Sequence, residues 1–196
     1  MKLGGFFNEN LITFRDDLMA DNIPSTWFEI KREGERNLIV GSFYREWGKR
    51  GTEENLGRKQ KERITQIFEQ INEAAKLGKV LVGGDWNVDL NQLKENKAYY
   101  LRDIAEHFKD EVDKLSLNHL DFGITWEAHS GKSKSAIDYF LHSDGTFRND
   151  HNITTNKFSP ICKSDHKAIE IVIPINSKKN KREVRFFFRI KKEYNQ

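Results

Sequence analysis

An aspartate and an asparagine follow a short apolar segment in the run Gly83-Gly84-Asp85-Trp86-Asn87. The segment 80–82 predicts a buried strand that ends at the two glycines, which allow a sharp turn close to a ligand. In extended backbone, Asp85 and Asn87 share a face. There the carboxylate can act as a general base, and the amide can donate a hydrogen bond to an anionic oxygen. A capped turn without catalytic function is the alternative, because Asp and Asn also favour turns.

A second candidate site lies in the run Ser164-Asp165-His166, ahead of the last long apolar segment. The aspartate offers a carboxylate to a cation, and the imidazole can stabilise an anionic transition state. Asp138 stands among apolar residues in the segment 136–141, and a buried charge needs a partner. We therefore predict that Asp138 lies within hydrogen-bond distance of His166 and favours its charged form. The alternatives are an exposed Asp138 and an Asp-His pair that only decorates the surface.

Tyr44 and Arg45 end another strand-like segment. A phenol and a guanidinium at this place can hold a phosphate group. The alternative is a tyrosine at the edge of the core beside a solvated arginine. The remaining histidines lack metal-ligand spacing such as HExxH, so we interpret them as structural or surface residues.

Strand and helix patterns alternate around these candidates. The segments 25–31 and 38–44, joined by a turn, predict a β-hairpin. Residues 58–77 carry apolar side chains three and four apart, and with the flanking strands they predict a helical crossover unit. A loop is predicted at 46–57, a second helix at 94–108, strands at 124–127, 136–141, 153–158 and 168–175, and polar turns at 130–135 and 143–145. This mixture favours an α/β sandwich over a purely parallel sheet.

The composition is that of a folded domain without a membrane span. The chain has 196 residues, of which 37% are hydrophobic and 12% aromatic, enough for one domain with a sizeable core. Its single cysteine, Cys162, excludes an internal disulfide framework and a multi-cysteine zinc site. No apolar run approaches the ~18 residues that a membrane span needs. The N-terminus shows no secretory signal, so we expect a nuclear or cytoplasmic protein with no membrane partner.

The net charge of +3 is unevenly distributed. Residues 177–196 contain eight basic and two acidic side chains, a net charge of +6, which leaves −3 for residues 1–176. We predict a domain over 1–176 and a basic linker or tail over 177–196. The tail would either contact nucleic acid or be solvated, and its basic run at 178–182 can serve as a nuclear signal.

In their order along the chain, these pieces resemble the endonuclease/exonuclease/phosphatase superfamily, and most closely the endonuclease domain of non-LTR (LINE-type) retrotransposons. The resemblance covers residues 4–173. Trp86 stands where that family usually has Phe. The motifs that carry the resemblance are Tyr44-Arg45, Gly84-Asp85-Trp86-Asn87, Thr125-Trp126, Ser135-Ala136-Ile137-Asp138-Tyr139 and Ser164-Asp165-His166.

The resemblance implies a four-layered, DNase I-like α/β sandwich that cuts DNA with Mg²⁺ or Mn²⁺ and is joined to a reverse transcriptase domain in the full polyprotein. Asp85 would activate the attacking water, and Asn87 would orient water and phosphate. His166, oriented by Asp138, would stabilise charge on the phosphate, and Asp165 would lie near the metal. Further contacts to phosphate or substrate are implied for Tyr44, Arg45, Trp126 and Ser135.

The sequence departs from the family pattern at its N-terminus. The family begins with a strand that carries an Asn and a second strand that carries a metal-binding Glu, and both precede the segment that Gly4-Gly5-Phe6 resembles. Only three residues precede Gly4. We therefore expect a domain truncated at its N-terminus, which lacks the first strands and binds metal weakly unless Glu9 or Asp89 replaces the family's Glu.

Three functions follow from these expectations. The first is an active, metal-dependent DNA-nicking endonuclease, which the family resemblance favours. The second is a degenerate domain that binds nucleic acid without cutting it, which the absent Glu favours. The third, a superfamily member acting on a lipid or nucleotide phosphate, is disfavoured by the Tyr44-Arg45 pair and the basic tail.

Overall fold

The computed structural model of the chain describes residues 12–32, 34–46, 53–94, 102–147, 154–159, 164–177 and 180–188. The strands within them are β1 (Ile12–Phe14), β2 (Ser25–Ile30), β3 (Leu38–Tyr44), β4 (Lys79–Asp85), β5 (Leu117–Leu120), β6 (Trp126–Glu127), β7 (Lys134–Ser135), β8 (Asp138–Ser143), β9 (Thr154–Phe158), β10 (Ala168–Ser177) and β11 (Asn180–Phe188). The helices are α1 (Glu53–Leu77), α2 (Leu90–Lys94) and α3 (Arg102–Lys114), and a short 3₁₀ turn spans Asp16–Leu18.

A six-stranded sheet in the order β1-β2-β3-β4-β8-β5 forms the centre of the molecule. β2 and β3 pair antiparallel, which confirms the predicted hairpin. β3 and β4 pair in parallel, and α1 connects them, which confirms the predicted crossover unit. A three-stranded sheet in the order β11-β10-β9 and the two-stranded pair of β6 and β7 complete the described strands.

The central sheet buries both of its faces. One face packs against α1 and α3 in a core that includes Trp27, Phe68 and Phe108. The opposite face packs against β10, where Ile169 and Ile171 join a second core of residues from β2, β3, β4 and β8. Strands buried on both faces need near-continuous apolar sequence, as in β3. The predicted α/β sandwich is thus confirmed, and three of its layers lie within the described residues.

β4 differs from the prediction, because it does not end at its glycines. It continues through Gly83 and Gly84 to Asp85. A Cβ atom at Gly84 would lie 1.9 Å from the Phe43 carbonyl oxygen, and the φ of Gly84 is +152°. Glycine is therefore needed here for the close approach of β4 to β3 rather than for a turn.

Several other element boundaries differ from the sequence-based expectation. α1 begins at Glu53, within the predicted loop, and the second long helix is α3 at Arg102–Lys114 rather than 94–108. β5 was not predicted, and β7 lies in a predicted polar turn. The two strands are only four and two residues long, so their pairing with β8 and β6 is what identifies them.

Residues 180–188, expected in the basic linker, form β11 and pair antiparallel with β10. Val184 and the three phenylalanines at 186–188 are strand formers, and the pairing satisfies their backbone groups. The domain boundary at residue 176 itself stays a prediction. Gly4, Glu9, Cys162 and part of the basic run at 178–182 lie outside the described residues. No helix in the described part of the chain is long and apolar enough to cross a membrane.

Candidate active site

Three neighbouring strands end at a common row of polar side chains. Tyr44 of β3 pairs with Asp85 of β4, and Asp85 pairs with Asp138 of β8. Residues opposite each other share a face of the sheet. Because Leu81 and Phe140 on the same strand faces belong to the core between the two sheets, this row lies at the end of the inter-sheet space.

His166 enters this space from the segment before β10. Its Nδ1 lies 3.0 Å and 3.2 Å from the two Asp138 carboxylate oxygens. Its Nε2 lies 3.9 Å from Asp85 Oδ2 and 3.9 Å from Asp165 Oδ1. The predicted contact between Asp138 and His166 is therefore confirmed. The imidazole joins residues from both sheets, with one nitrogen on Asp138 and the other between two further carboxylates.

The surrounding charges control the protonation of His166. Burial of the ring lowers its pKa, but the hydrogen bond with Asp138 and the negative charges of Asp138, Asp85 and Asp165 outweigh this effect, so the pKa is raised overall. The imidazolium form is thus favoured, as we expected from the sequence. A charged His166 can donate a hydrogen bond from Nε2 to an anionic ligand.

The charged form of Asp85 is disfavoured, because its carboxylate is buried beside the carboxylate of Asp138. Burial, together with the negative charge of Asp138, raises the pKa of Asp85 to about 7. The charge of His166, the Asn87 backbone N–H and the charge of Arg45 act in the opposite direction. A carboxyl group whose pKa lies near neutrality is suited to accept a proton as a general base.

Asn87 does not share an extended face with Asp85, which corrects the sequence-based expectation. β4 ends at Asp85, and Asn87 adopts a left-handed conformation with φ of 51°. Asparagine tolerates this conformation better than most residues. Its backbone N–H donates to Asp85 Oδ1 at 3.0 Å, and its side-chain Nδ2 donates to the Arg45 carbonyl oxygen at 2.8 Å.

Arg45 also differs from its prediction as a phosphate ligand. The residue is fully buried. Its guanidinium donates to the carbonyl oxygens of Trp86 and Asn87 and to the side-chain oxygen of Gln60. These contacts direct the charged group at protein acceptors inside the molecule rather than toward a substrate.

Trp126 and Ser135 lie on the β6–β7 pair next to the site, and both are half-buried. The Trp126 indole Nε1 donates to Asp165 Oδ2 at 3.0 Å, so this side chain orients a carboxylate of the site. Tyr44 is half-buried at the end of β3. Substrate contacts by these three residues stay predictions.

Two buried side chains, Thr125 and Asp89, bind the backbone at the start of the strand that carries Asp138. Thr125 Oγ1 accepts hydrogen bonds from the backbone N–H groups of Ile137 and Asp138, at 3.2 Å and 3.0 Å. Asp89 accepts the backbone N–H groups of Asn91 and Ala136 on its two oxygens, at 3.1 Å and 3.0 Å. In the sequence, the Asp89-x-Asn91 spacing is typical of an Asx turn and indicates the contact between Asp89 and the Asn91 N–H. No comparable signal indicates the contacts of Thr125.

The carboxylates of the cleft are donors of the type that a hard divalent cation takes. Asp85, Asp138 and His166 place one ligand atom each within 4.8 Å of one another. Both Asp138 oxygens already contact His166, whereas Asp165, with 14% of its side chain exposed, is the most accessible carboxylate around the imidazole. Carboxylate oxygens are the ligands that Mg²⁺ prefers. Each Asp89 oxygen accepts one backbone N–H, and its replacement of the family's Glu stays a prediction.

Comparisons with known proteins place this arrangement in context. A family model described as Endonuclease-reverse transcriptase matches residues 38–170, which include every candidate site residue. The endonuclease domain of TRAS1, a telomere-specific non-LTR retrotransposon, is similar in structure with a TM-score of 0.58 and 20% identity, covering 83% of this chain and 68% of that chain.

Two bacterial structures are similar to the chain at lower identity. A 3′-5′ exonuclease (NExo) from Neisseria meningitidis has a TM-score of 0.54 and 16% identity, covering 81% of this chain and 68% of its own. A beta toxin from Staphylococcus aureus has a TM-score of 0.53 and 17% identity, covering 78% of this chain and 57% of its own. These likenesses show the fold. A search of curated proteins found no significant match.

Proposed function

The chain belongs to the Endonuclease-reverse transcriptase family within the endonuclease/exonuclease/phosphatase superfamily, and from this premise we propose that it is a divalent-metal-dependent DNA endonuclease. In this proposal the cleft hydrolyses one phosphodiester bond and leaves a nick. The observation that supports it is the position of His166 Nε2, 3.9 Å from both Asp85 Oδ2 and Asp165 Oδ1, with Asp138 behind the ring.

Four residues of the cleft divide the chemistry of hydrolysis between them. Asp85 accepts a proton from water as the water oxygen bonds to phosphorus and the phosphorus–oxygen bond to the leaving group breaks. The leaving oxygen keeps the electron pair of that bond and takes a proton from solvent. His166, held charged by Asp138, donates a hydrogen bond to a phosphate oxygen where negative charge develops. The Asn87 N–H keeps one Asp85 oxygen fixed, at 3.0 Å. Asp165, with waters and the phosphate, would hold the cation, which supplies charge neutralisation when bound.

A non-catalytic DNA-binding domain is the second candidate, and the ligand set favours it. Two of the carboxylates in the described cleft have other partners, because Asp138 contacts His166 and Asp85 accepts the Asn87 N–H. A cation held mainly by Asp165 would gain too few ligands to offset the free energy of losing its bound water, so it would bind weakly. Weak occupancy at working metal concentration would leave binding without cleavage.

We also propose DNA as the substrate and a reverse transcriptase as the functional partner, since the family description joins the two activities. Access to chromosomal DNA then calls for a nuclear location at the time of cutting. The basic run at 178–182 is suited to both nuclear import and DNA contact.

Supercoiled plasmid provides the test. The purified chain is incubated with plasmid in Mg²⁺, in Mn²⁺ and in EDTA, and nicked circles are counted for the wild type, His166→Ala and His107→Ala. His107 lies on α3 in the helix layer and contacts Thr65 at 3.0 Å, so it is the matched control. We expect metal-dependent nicking that falls by about 10²–10³ in His166→Ala alone. DNA binding without nicking under every metal condition would favour the non-catalytic domain.

A further inference from the structure

We propose that Arg45 is a positioning residue for catalysis: it holds the turn that carries Asp85 and Asn87 in place relative to His166. This inference rests on the proposed function, since it assigns Arg45 a part in that reaction. It replaces the substrate contact that the sequence suggested for this arginine with a contact inside the protein.

Arg45 binds three consecutive residues of the turn. Its backbone N–H donates to the Asp85 carbonyl oxygen at 3.0 Å. Its side-chain Nε donates to the carbonyl oxygen of Trp86, and Nη2 donates to that of Asn87 at 2.8 Å. In return, the Arg45 carbonyl oxygen accepts the Asn87 side-chain Nδ2 at 2.8 Å. The residue that follows β3 therefore fixes every peptide unit from the general base to the asparagine.

The turn needs such support because regular structure stops there. β4 ends at Asp85, so the carbonyl groups of Trp86 and Asn87 lie beyond the strand, and buried carbonyls need donors. Asn87 also holds a left-handed φ of 51°. This conformation costs free energy, so it persists only where surrounding contacts offset the cost. A planar guanidinium with donors in a rigid fork can serve two such carbonyls at once, and a lysine ammonium cannot reproduce that geometry.

Gln60 extends the support to α1. Its side-chain oxygen accepts a hydrogen bond from Arg45 Nη1, and its Nε2 donates to the Glu46 carbonyl oxygen at 3.4 Å. Gln60 itself is buried, with 6% of its surface exposed. The guanidinium thus links the turn to α1, a helix of 25 residues.

The positioning role and the substrate-contact role predict different kinetics. Loss of a phosphate contact raises KM and lowers the salt dependence of DNA binding by about one unit of slope. Loss of positioning leaves DNA affinity intact but misplaces Asp85, and a misplacement of about 1 Å costs about 10²-fold in rate. A change in KM therefore indicates a phosphate contact, and a change in kcat indicates a positioning role.

The experiment compares Arg45→Lys, Gln60→Met and Arg58→Lys with the wild type. Arg58 is the matched control, because 64% of its side chain is exposed and it pairs only with Glu62 among the salt bridges of the described residues. Plasmid nicking gives kcat and KM, and amide hydrogen exchange reports on the Asn87 N–H that donates to Asp85. The exchange measurement does not depend on activity.

For Arg45→Lys we expect kcat to fall by about 10²-fold with KM changed less than about twofold, and faster exchange at Asn87. For Gln60→Met, which removes one hydrogen bond to a charged group, we expect about a tenfold fall in kcat. Arg58→Lys should match the wild type. A raised KM with normal kcat in Arg45→Lys, or unchanged exchange at Asn87, would overturn the proposal.

Two further results are also decisive. If the wild type does not nick DNA, the proposed function fails, and the exchange rate at Asn87 in Arg45→Lys then decides alone whether Arg45 positions the turn. If Arg45→Lys does not fold, Gln60→Met carries the test. Normal kcat and normal exchange at Asn87 in that variant would overturn the positioning role.

Discussion

At the scale of single residues, the site is a balance of one imidazole against three carboxylates. Asp85 and Asp138 stand directly opposite each other on neighbouring strands, where like charges repel. The charge of His166 lies between them, within 3.0 Å of Asp138 and 3.9 Å of Asp85. The cluster therefore favours the protonated forms of His166 and Asp85, and the folded protein loses stability when either group loses its proton.

This balance predicts how the metal-free protein responds to pH. The pKa of Asp85 is raised to about 7 in the folded state, so the folded protein retains a proton that the unfolded chain releases above its ordinary pKa. The raised pKa of His166 acts in the same direction, because its contribution is lost as the pH rises through the folded value. The stability that Asp85 contributes should therefore fall between about pH 4 and pH 7, and that of His166 should fall above its ordinary pKa of about 6.5.

Asp85→Asn tests this prediction, since it keeps an oxygen for the Asn87 N–H but removes the titrating group. Urea unfolding at pH 5 and pH 8, without metal, gives the free energies of unfolding. We expect the variant to be more stable than the wild type at pH 8 by about 1–3 kcal/mol, and inactive. Equal pH dependence in the two proteins would contradict the assignment of Asp85 as the buried titrating group.

At the scale of elements, hydrophobic patterns predict the strands and helices around β4, but they do not predict where β4 ends. The β2–β3 hairpin and the α1 crossover followed from hydrophobic patterns, because those patterns are local. Gly83 and Gly84 predicted a turn, since the sequence cannot show that the Phe43 carbonyl occupies the space where a side chain at Gly84 would lie. The role of Arg45 was missed for the same reason, because its burial depends on contacts with Gln60 and Trp86 far along the chain.

Gly84→Ala should be far more harmful than an alanine at another left-handed glycine. Gly34 is the matched control, because its φ is +74° and a Cβ atom added there would meet no atom within 4 Å beyond its own chain neighbours. We expect Gly34→Ala to cost about 1 kcal/mol through backbone strain alone. We expect Gly84→Ala to cost about 3 kcal/mol or more, because it also forces β3 and β4 apart. Thermal or urea unfolding checks both, and equal costs would mean that the close strand approach is unimportant.

At the scale of the whole molecule, the site depends on how the two sheets pack. Asp85 and Asp138 belong to the central sheet, whereas Asp165 and His166 precede β10 of the smaller sheet. The distance between Asp138 and His166 is thus fixed by the core between the sheets, in which Ile171 is fully buried. The sequence predicts the contact between Asp138 and His166. It does not predict that this contact depends on the core between the sheets, because that core forms only when the sheets pack.

Matched truncations in the two cores separate stability from site geometry. Ile171→Ala opens a cavity between the sheets, and Ile104→Ala opens one between α3 and the central sheet; both residues are buried. Each should cost about 2–5 kcal/mol of unfolding free energy. Under conditions where both variants are folded, only Ile171→Ala should lower kcat for nicking. Equal kcat in the two variants would contradict the coupling of sheet packing to the site.

The nicking rate of Asp138→Asn, beside Asp144→Asn, tests most directly whether the His166 cluster cuts DNA. Asp138→Asn keeps the shape of the partner of His166 but removes the charge that holds the imidazolium, whereas Asp144 is exposed and pairs with Asn118 at 2.6 Å. On supercoiled plasmid with Mg²⁺ or Mn²⁺, we expect Asp144→Asn to nick at the wild-type rate and Asp138→Asn to be slower by about 10²-fold or more. Metal-dependent nicking by Asp138→Asn at the wild-type rate would contradict the assignment of this cluster as the active site.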